Sequence, residues 1–248
     1  MPNVLILVDS DPAQPSGLAA ATEQMIAALQ TAIRDEKSPP RPHASDSPSW
    51  QVDVRVAATL TPNQFKSEGL GNSVICPLTL ALPAWLEFPA QSVYPACQDV
   101  EGLRQQVSQW EYKTGVGNDW LPIVLTGKGP LYAEAIGVEG KLVAMGADLN
   151  PYRYFQPIHL VDVQRQSLYG LAQRLLRSLM APPSVYLLQF GFHGETLQFD
   201  RLIPFPAAPA IASINLQNPD LFTCHWRCLT HQPILDLTLS TVSGSCKS

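Results

Sequence analysis

Between residues 162 and 230 the hydrophobic spacing of the chain changes several times, and the order of those changes restricts the fold more than any other feature of the sequence. Residues 162–180 carry apolar side chains at helical spacing: Val163, Leu168, Leu171, Leu175, Leu176 and Leu179. They predict a helix with Asp162 as its N-cap and with Arg165, Arg174 and Arg177 on a solvated face. Pro182-Pro183 stops it, because proline cannot continue a helix and disfavours helical geometry in the residue before it. Val185–Phe190 is then almost uninterruptedly apolar, as a strand covered on both faces would be. His193-Gly194-Glu195 supplies a hairpin turn, Leu197–Leu202 a partner strand, and residues 204–209 a proline-rich loop before a short helix at 221–230.

The N-terminal part has a different order. Val4–Val8 is a continuous apolar run, the pattern of a buried parallel strand. Gly17–Ile33 is alanine-rich, with Leu18, Met25, Ile26 and Leu29 at helical spacing, so the chain opens as an α/β layer. Residues 34–50 are rich in proline and serine and read as a mobile linker. Strands are expected at 52–57 and 73–75, and a helix at 99–112 with Val100, Leu103, Val107 and Trp110 on one face. Leu121–Thr126 reads as a strand and Gly127-Lys128-Gly129-Pro130 as the turn after it; further strands are expected at 131–138 and 141–145. No internal repeat is visible. The fold class is α/β (α+β): an N-terminal strand–helix region at 1–115 and, at 116–248, a mixed or antiparallel sheet packed with helices.

Composition narrows the function. The 248 residues are 46% hydrophobic and 15% charged, which is a folding composition. The formal charge of −5 and the absence of any lysine or arginine run leave no field to hold a nucleic-acid backbone. No apolar stretch reaches the ~18 residues of a membrane span. The first nine residues lack the basic start and small-residue cleavage site of a secretory leader, so a cytoplasmic location is expected. Five cysteines, an odd number in a chain of this size, argue against a disulfide framework. Cys224 and Cys228 flank His225 at a spacing that could hold a metal, but no second pair lies near them and ordinary buried thiols are expected. Asp9-Ser10-Asp11 reads as a turn and cap at a strand's end. His159, His193 and His231 have no matched catalytic partners in the sequence.

Residues 184–234 resemble the carboxyl-terminal part of carboxyaminoimidazole ribonucleotide synthase, of the ATP-grasp superfamily. Val185–Phe190 fits that family's first metal-bearing strand, and Leu197–Leu202 fits the second. Pro204-Phe205-Pro206 falls where its Pro-Arg-x loop begins, and Phe222, His225, Arg227 and Pro233 match its last helix and the proline after it. Upstream, residues 121–126 look like the strand carrying the family's ATP-phosphate lysine, with Thr126 in the lysine's place and Lys128 displaced. The resemblance implies an ATP-grasp-like fold with a reduced lid. It also implies a remnant nucleotide cleft formed by Lys128, Gln189, Asp200 and Arg201.

Catalysis in that family makes an acyl phosphate and needs Mg²⁺ bridged between ATP and two acidic side chains. At the matching positions this chain has Gln189, which is neutral, and Arg201, which cannot ligate a metal. Ala207-Ala208-Pro209-Ala210 replaces the polar phosphate loop. Asp200 rescues the site only if a bulge turns it to the face of its neighbour. The expectation is therefore a protein without catalytic residues, metal or cofactor, binding a protein partner or a small anionic ligand. The alternative is an ATP- and Mg²⁺-dependent ligase of purine biosynthesis. A third possibility is an unrelated α+β interaction domain that exposes Phe205 and its neighbours.

Overall fold

The strand β1 (Asn3–Val8) is the middle of three parallel strands and is buried on both faces. After α1 (Gly17–Asp35) come β2 (Gln51–Val56) and, past α2 (Pro62–Ser67), β3 (Val74–Pro77), which flank β1 in the order β2-β1-β3. Alternation along β1 divides its side chains between two layers. Val4, Ile6 and Val8 join Met25, Ile26, Leu29 and Ile33 of α1, while Leu5 and Leu7 meet Ala57, Leu60 and Leu70 on the other side. The computed structural model describes residues 3–9, 17–35, 50–139 and 153–240. The expected linker therefore lies almost wholly outside the described residues, as do the expected strand at 141–145, Ser10, Asp11 and Cys246.

Two helices lead to the second sheet, α3 (Val93–Gln98) and α4 (Val100–Gln109). The Asp99 carboxylate caps α4, accepting from the Gly102 N–H at 2.9 Å. The chain continues through β4 (Lys113–Thr114), β5 (Asp119–Thr126), β6 (Gly129–Tyr132), β7 (Ala135–Glu139) and β8 (Arg153–Ile158). Then follow α5 (Asp162–Ser178), β9 (Ser184–His193), β10 (Thr196–Ile203), β11 (Gln217–Asn218), α6 (Leu221–Leu229) and β12 (Thr238–Leu239). The main sheet runs β4-β10-β9-β5-β7-β8, with β6 folded onto β5 as a hairpin. β5, β9 and β10 are antiparallel neighbours, and β4 lies parallel to β10. The short edge strand β4 thus belongs to this sheet although it precedes residue 116.

The sheet is covered on both sides, as the apolar run of β9 predicts. One face carries Tyr186, Leu188 and Phe190 against Leu103 and Val107 of α4 and Leu168, Leu171 and Leu175 of α5. The other carries Val185 and Leu187 against Phe222 and Trp226 of α6, in a core continuous with α1 and β1. The adjacent β9 and β10 and the burial of Phe205, 6% exposed and stacked on Tyr94, remove the grounds for an unrelated interaction domain.

Several local expectations need correction. Asp162 is the first helical residue, not the cap; Val161 precedes it, its N–H held by the Gln164 side chain at 3.1 Å, and Asp162 pairs with Arg165 instead. Val163, on that first turn, is 80% exposed and so not part of the buried stripe. Arg174 lies over the Trp110 ring at 4.5 Å, a cation–π contact that joins α5 to the end of α4. The single strand expected at 131–138 is two, since the chain turns at Ala133 and Glu134 from β6 into β7. No helix among the described residues is long and apolar enough to cross a membrane.

Candidate functional site

The β9–β10 register places Gln189 directly opposite Arg201, and β5 adds Trp120 on the other side of Gln189. Opposed residues share a face, so Trp120, Gln189 and Arg201 form one cross-strand row. Trp120 packs edge-on against Tyr154 of β8 with ring centroids 5.5 Å apart. The pairing jumps between Phe199 and Arg201, so Asp200 is the extra residue of a β-bulge.

That bulge is the one that would let Asp200 turn toward the face of Arg201, but its carboxylate is already committed. It is 1% exposed and accepts from Arg104 Nη2 at 2.7 Å, from the Gly117 N–H at 2.9 Å and from Arg201 Nε at 3.3 Å. Arg104 Nε also donates to the Asp200 carbonyl at 3.1 Å, clasping side chain and backbone of one residue. A buried carboxylate needs such partners to remain charged.

Gly117 explains the fate of Gln189. Residues 115–118 carry the chain from β4 to β5, and to do so they cross β10 and β9. Gly117 crosses so closely that a Cβ there would lie 2.1 Å from the Phe190 carbonyl carbon and oxygen. Its carbonyl accepts from Gln189 Nε2 at 2.6 Å while its N–H binds Asp200. The strap is therefore held at one residue by both strands. Only a donor fits opposite a carbonyl, so this position calls for an amide where a carboxylate would repel.

Of the four expected cleft residues, three meet here: Gln189, Asp200 and Arg201. Lys128 does not. Trp120 pairs with Gln189, and Thr126 is six residues further along β5, about 20 Å away at ~3.4 Å per residue. Lys128 sits beyond it in the β5–β6 turn, exposed. Lys128 lies apart because β5 runs the length of the sheet between Trp120 and the β5–β6 turn, carrying the two groups to opposite ends of the strand. Sequence reading missed Arg104, 96 residues from Asp200, for which no local pattern exists. It also missed Gly117, although Gly115-Val116-Gly117 ahead of a strand marks a place where the backbone can approach closely.

Asp119, a further carboxylate at this end of the sheet, precedes Trp120 and so points to the opposite face. Burial pushes its pKa up. The cysteines of α6, Cys224 and Cys228, are buried, and burial raises both thiols, Cys228 to about 12. His225 is also buried, its Nδ1 3.2 Å from Ser184 Oγ, and desolvation lowers its pKa to about 3. Asp9 accepts from the Thr79 hydroxyl, tying the end of β1 to the chain beyond β3. Among the described residues no group of three His, Cys, Asp or Glu side chains is placed to hold a metal.

The comparison with solved structures bears on this geometry. An N5-carboxyaminoimidazole synthetase from Staphylococcus aureus complexed with ADP superposes with a TM-score of 0.68, covering 96% of this chain and 80% of that one at 9% identity. A protein from Archaeoglobus fulgidus described as of the ATP-grasp superfamily gives 0.60, covering 96% and 90% at 8% identity. This chain has the ATP-grasp fold. A glycinamide-RNase-transformylase T from Mycobacterium tuberculosis is similar at a TM-score of 0.65, 17% identity and coverage of 96% and 81%. No family model matches the sequence, and no curated protein matches it.

On an ATP-grasp sheet, Mg²⁺ would need two anionic oxygens on neighbouring strands. The residues present do not fit it. Gln189 is neutral and tied to the strap, Arg201 is cationic, and Asp200 is shared between two guanidinium groups and an N–H. Bringing Mg²⁺ beside Arg201 would cost several kcal/mol at ~4 Å even in a surface-like dielectric.

Proposed function

We propose that this chain is a binding protein on an ATP-grasp scaffold, without Mg²⁺-dependent ligation, that takes a small anionic ligand at Arg201. The carrying observation is the strap: one residue, Gly117, accepts from Gln189 and donates to Asp200, using both side chains that could have served a metal. Arg201 stays 45% exposed, and its terminal guanidinium nitrogens have no partner among the described residues. A guanidinium with free, forked donors is suited to phosphate or carboxylate oxygens. Calorimetric titration with pyrophosphate tests this. Binding is expected to be unchanged by chelating Mg²⁺ and lost in Arg201→Gln. Mg²⁺-dependent ATP hydrolysis by the purified protein, with or without purine-pathway amines, would refute the proposal.

The second reading is an ATP-dependent ligase or carboxylase-type enzyme related to purine biosynthesis. What supports it is the naming of several neighbours as N5-carboxyaminoimidazole synthetases, some of them holding ADP. It requires ATP binding that strengthens with Mg²⁺. The same calorimeter separates the two readings, because the first allows no such strengthening.

A further inference from the structure

Lys128, left out of the Gln189–Arg201 row, lies at a cavity of its own. Its volume is about 260 Å³, and three distant stretches enclose it: the β5–β6 turn, Pro183 at the entry to β9, and the chain from Cys228 to Leu235 at the end of α6. The walls are apolar and stiff, built from Pro183, Cys228, Pro233 and Ile234. Several polar groups in and beside the walls are already paired. The Arg227 carbonyl accepts from the Gln232 N–H at 2.7 Å and the Cys228 carbonyl from the His231 N–H at 3.2 Å. The Leu125 carbonyl accepts from Cys228 Sγ at 3.5 Å, and Thr126 Oγ1 accepts from the Lys128 N–H at 3.1 Å while donating to the Gly129 carbonyl.

Three side chains remain at the rim with no partner among the described residues: the Lys128 ammonium, the His231 imidazole and the Gln232 amide. Among the described residues no carboxylate lines the cavity. An apolar hollow with a cation and an amide at its mouth suits a small molecule with an apolar body and one negative end. We propose that this cavity binds a small aromatic carboxylate, its ring against the Pro183–Pro233 walls and its carboxylate on Lys128. A bare phosphate is a poorer match, because it would leave the apolar walls uncovered and find one lysine where phosphate sites usually offer several donors.

The test uses the intact chain and 1-naphthoate, whose fluorescence reports a less polar surrounding. Saturable binding is expected, weakened about fivefold or more in Lys128→Met, restored in Lys128→Arg and unchanged in Arg201→Gln. The Arg201→Gln arm keeps this result separate from the anion proposed at β10. Lys128 is exposed in a turn, so its variants should fold; urea midpoints equal to that of the unaltered protein would verify it. Binding that ignores Lys128→Met would overturn the proposal. So would inorganic phosphate competing as well as benzoate, since the apolar walls would then contribute nothing.

Discussion

Gln189→Glu changes one atom type and tests whether the amide at this position is what anchors the strap. In the folded chain Gln189 Nε2 donates to the Gly117 carbonyl at 2.6 Å. A protonated glutamic acid can still donate there, whereas a carboxylate sets oxygen against oxygen and leaves the carbonyl without its donor. An unmet or repelled partner of this kind costs about 1–3 kcal/mol. Arg201 lies opposite and would recover part of it, about 0.2–1 kcal/mol for an exposed pair. The net loss at pH 8 is then about 1–2 kcal/mol, and it should grow in an Arg201→Gln background where the offset is gone. The sign of the pH dependence follows from linkage: repulsion raises the folded pKa of the new glutamate above the unfolded value of about 4.3. The variant should match the unaltered protein near pH 4 and fall behind as pH rises through the folded pKa. Urea unfolding of the single and double variants at pH 4 and pH 8 measures this. Equal stability of Gln189→Glu and the unaltered protein at pH 8, or a deficit of the same size at both pH values, would refute the reasoning.

Four further outcomes rest on the same region and on α6. Gly117→Ala places a Cβ 2.1 Å from the Phe190 backbone and should cost about 3 kcal/mol in urea unfolding through overpacking. Gly191→Ala, whose Cβ would meet the strap at 3.2 Å, should cost less. Arg104→Met leaves the buried Asp200 carboxylate short of its main partner, a loss of about 3 kcal/mol that adding Asp200→Asn should largely reverse. His225 has a folded pKa lowered to about 3 by burial, against about 6.5 unfolded. The unfolded chain therefore binds the extra proton first, and stability falls as pH drops from 6.5 toward 3. In His225→Leu that part of the pH dependence should vanish, while stability at pH 7 changes by no more than about 1 kcal/mol because the buried Nε2, which has no partner among the described residues, goes with the ring.

Much of the architecture could be read from local pattern. The apolar run of β1, the stripe of α5, the double proline and the β9–β10 hairpin each depend on residues close in sequence, where spacing alone selects the burying conformation. The resemblance at residues 184–234 rested on such elements in order, and the ATP-grasp fold agrees with it. The pairing of Gln189 with Arg201 was likewise within reach, because hairpin geometry fixes which residues oppose. What tertiary structure decided was how those side chains are used. Asp200 sits in a bulge whose position no periodicity reveals, and it is held by Arg104, 96 residues away. Gln189 has its amide because Gly117, 72 residues away, brings a carbonyl against it. Lys128 belonged to the expected cleft in sequence and lies at the other end of β5 in space. Spacing along the chain sets which groups can share a face; which of them meet, and whether a carboxylate there is free or already paired, depends on contacts between segments that only folding brings together.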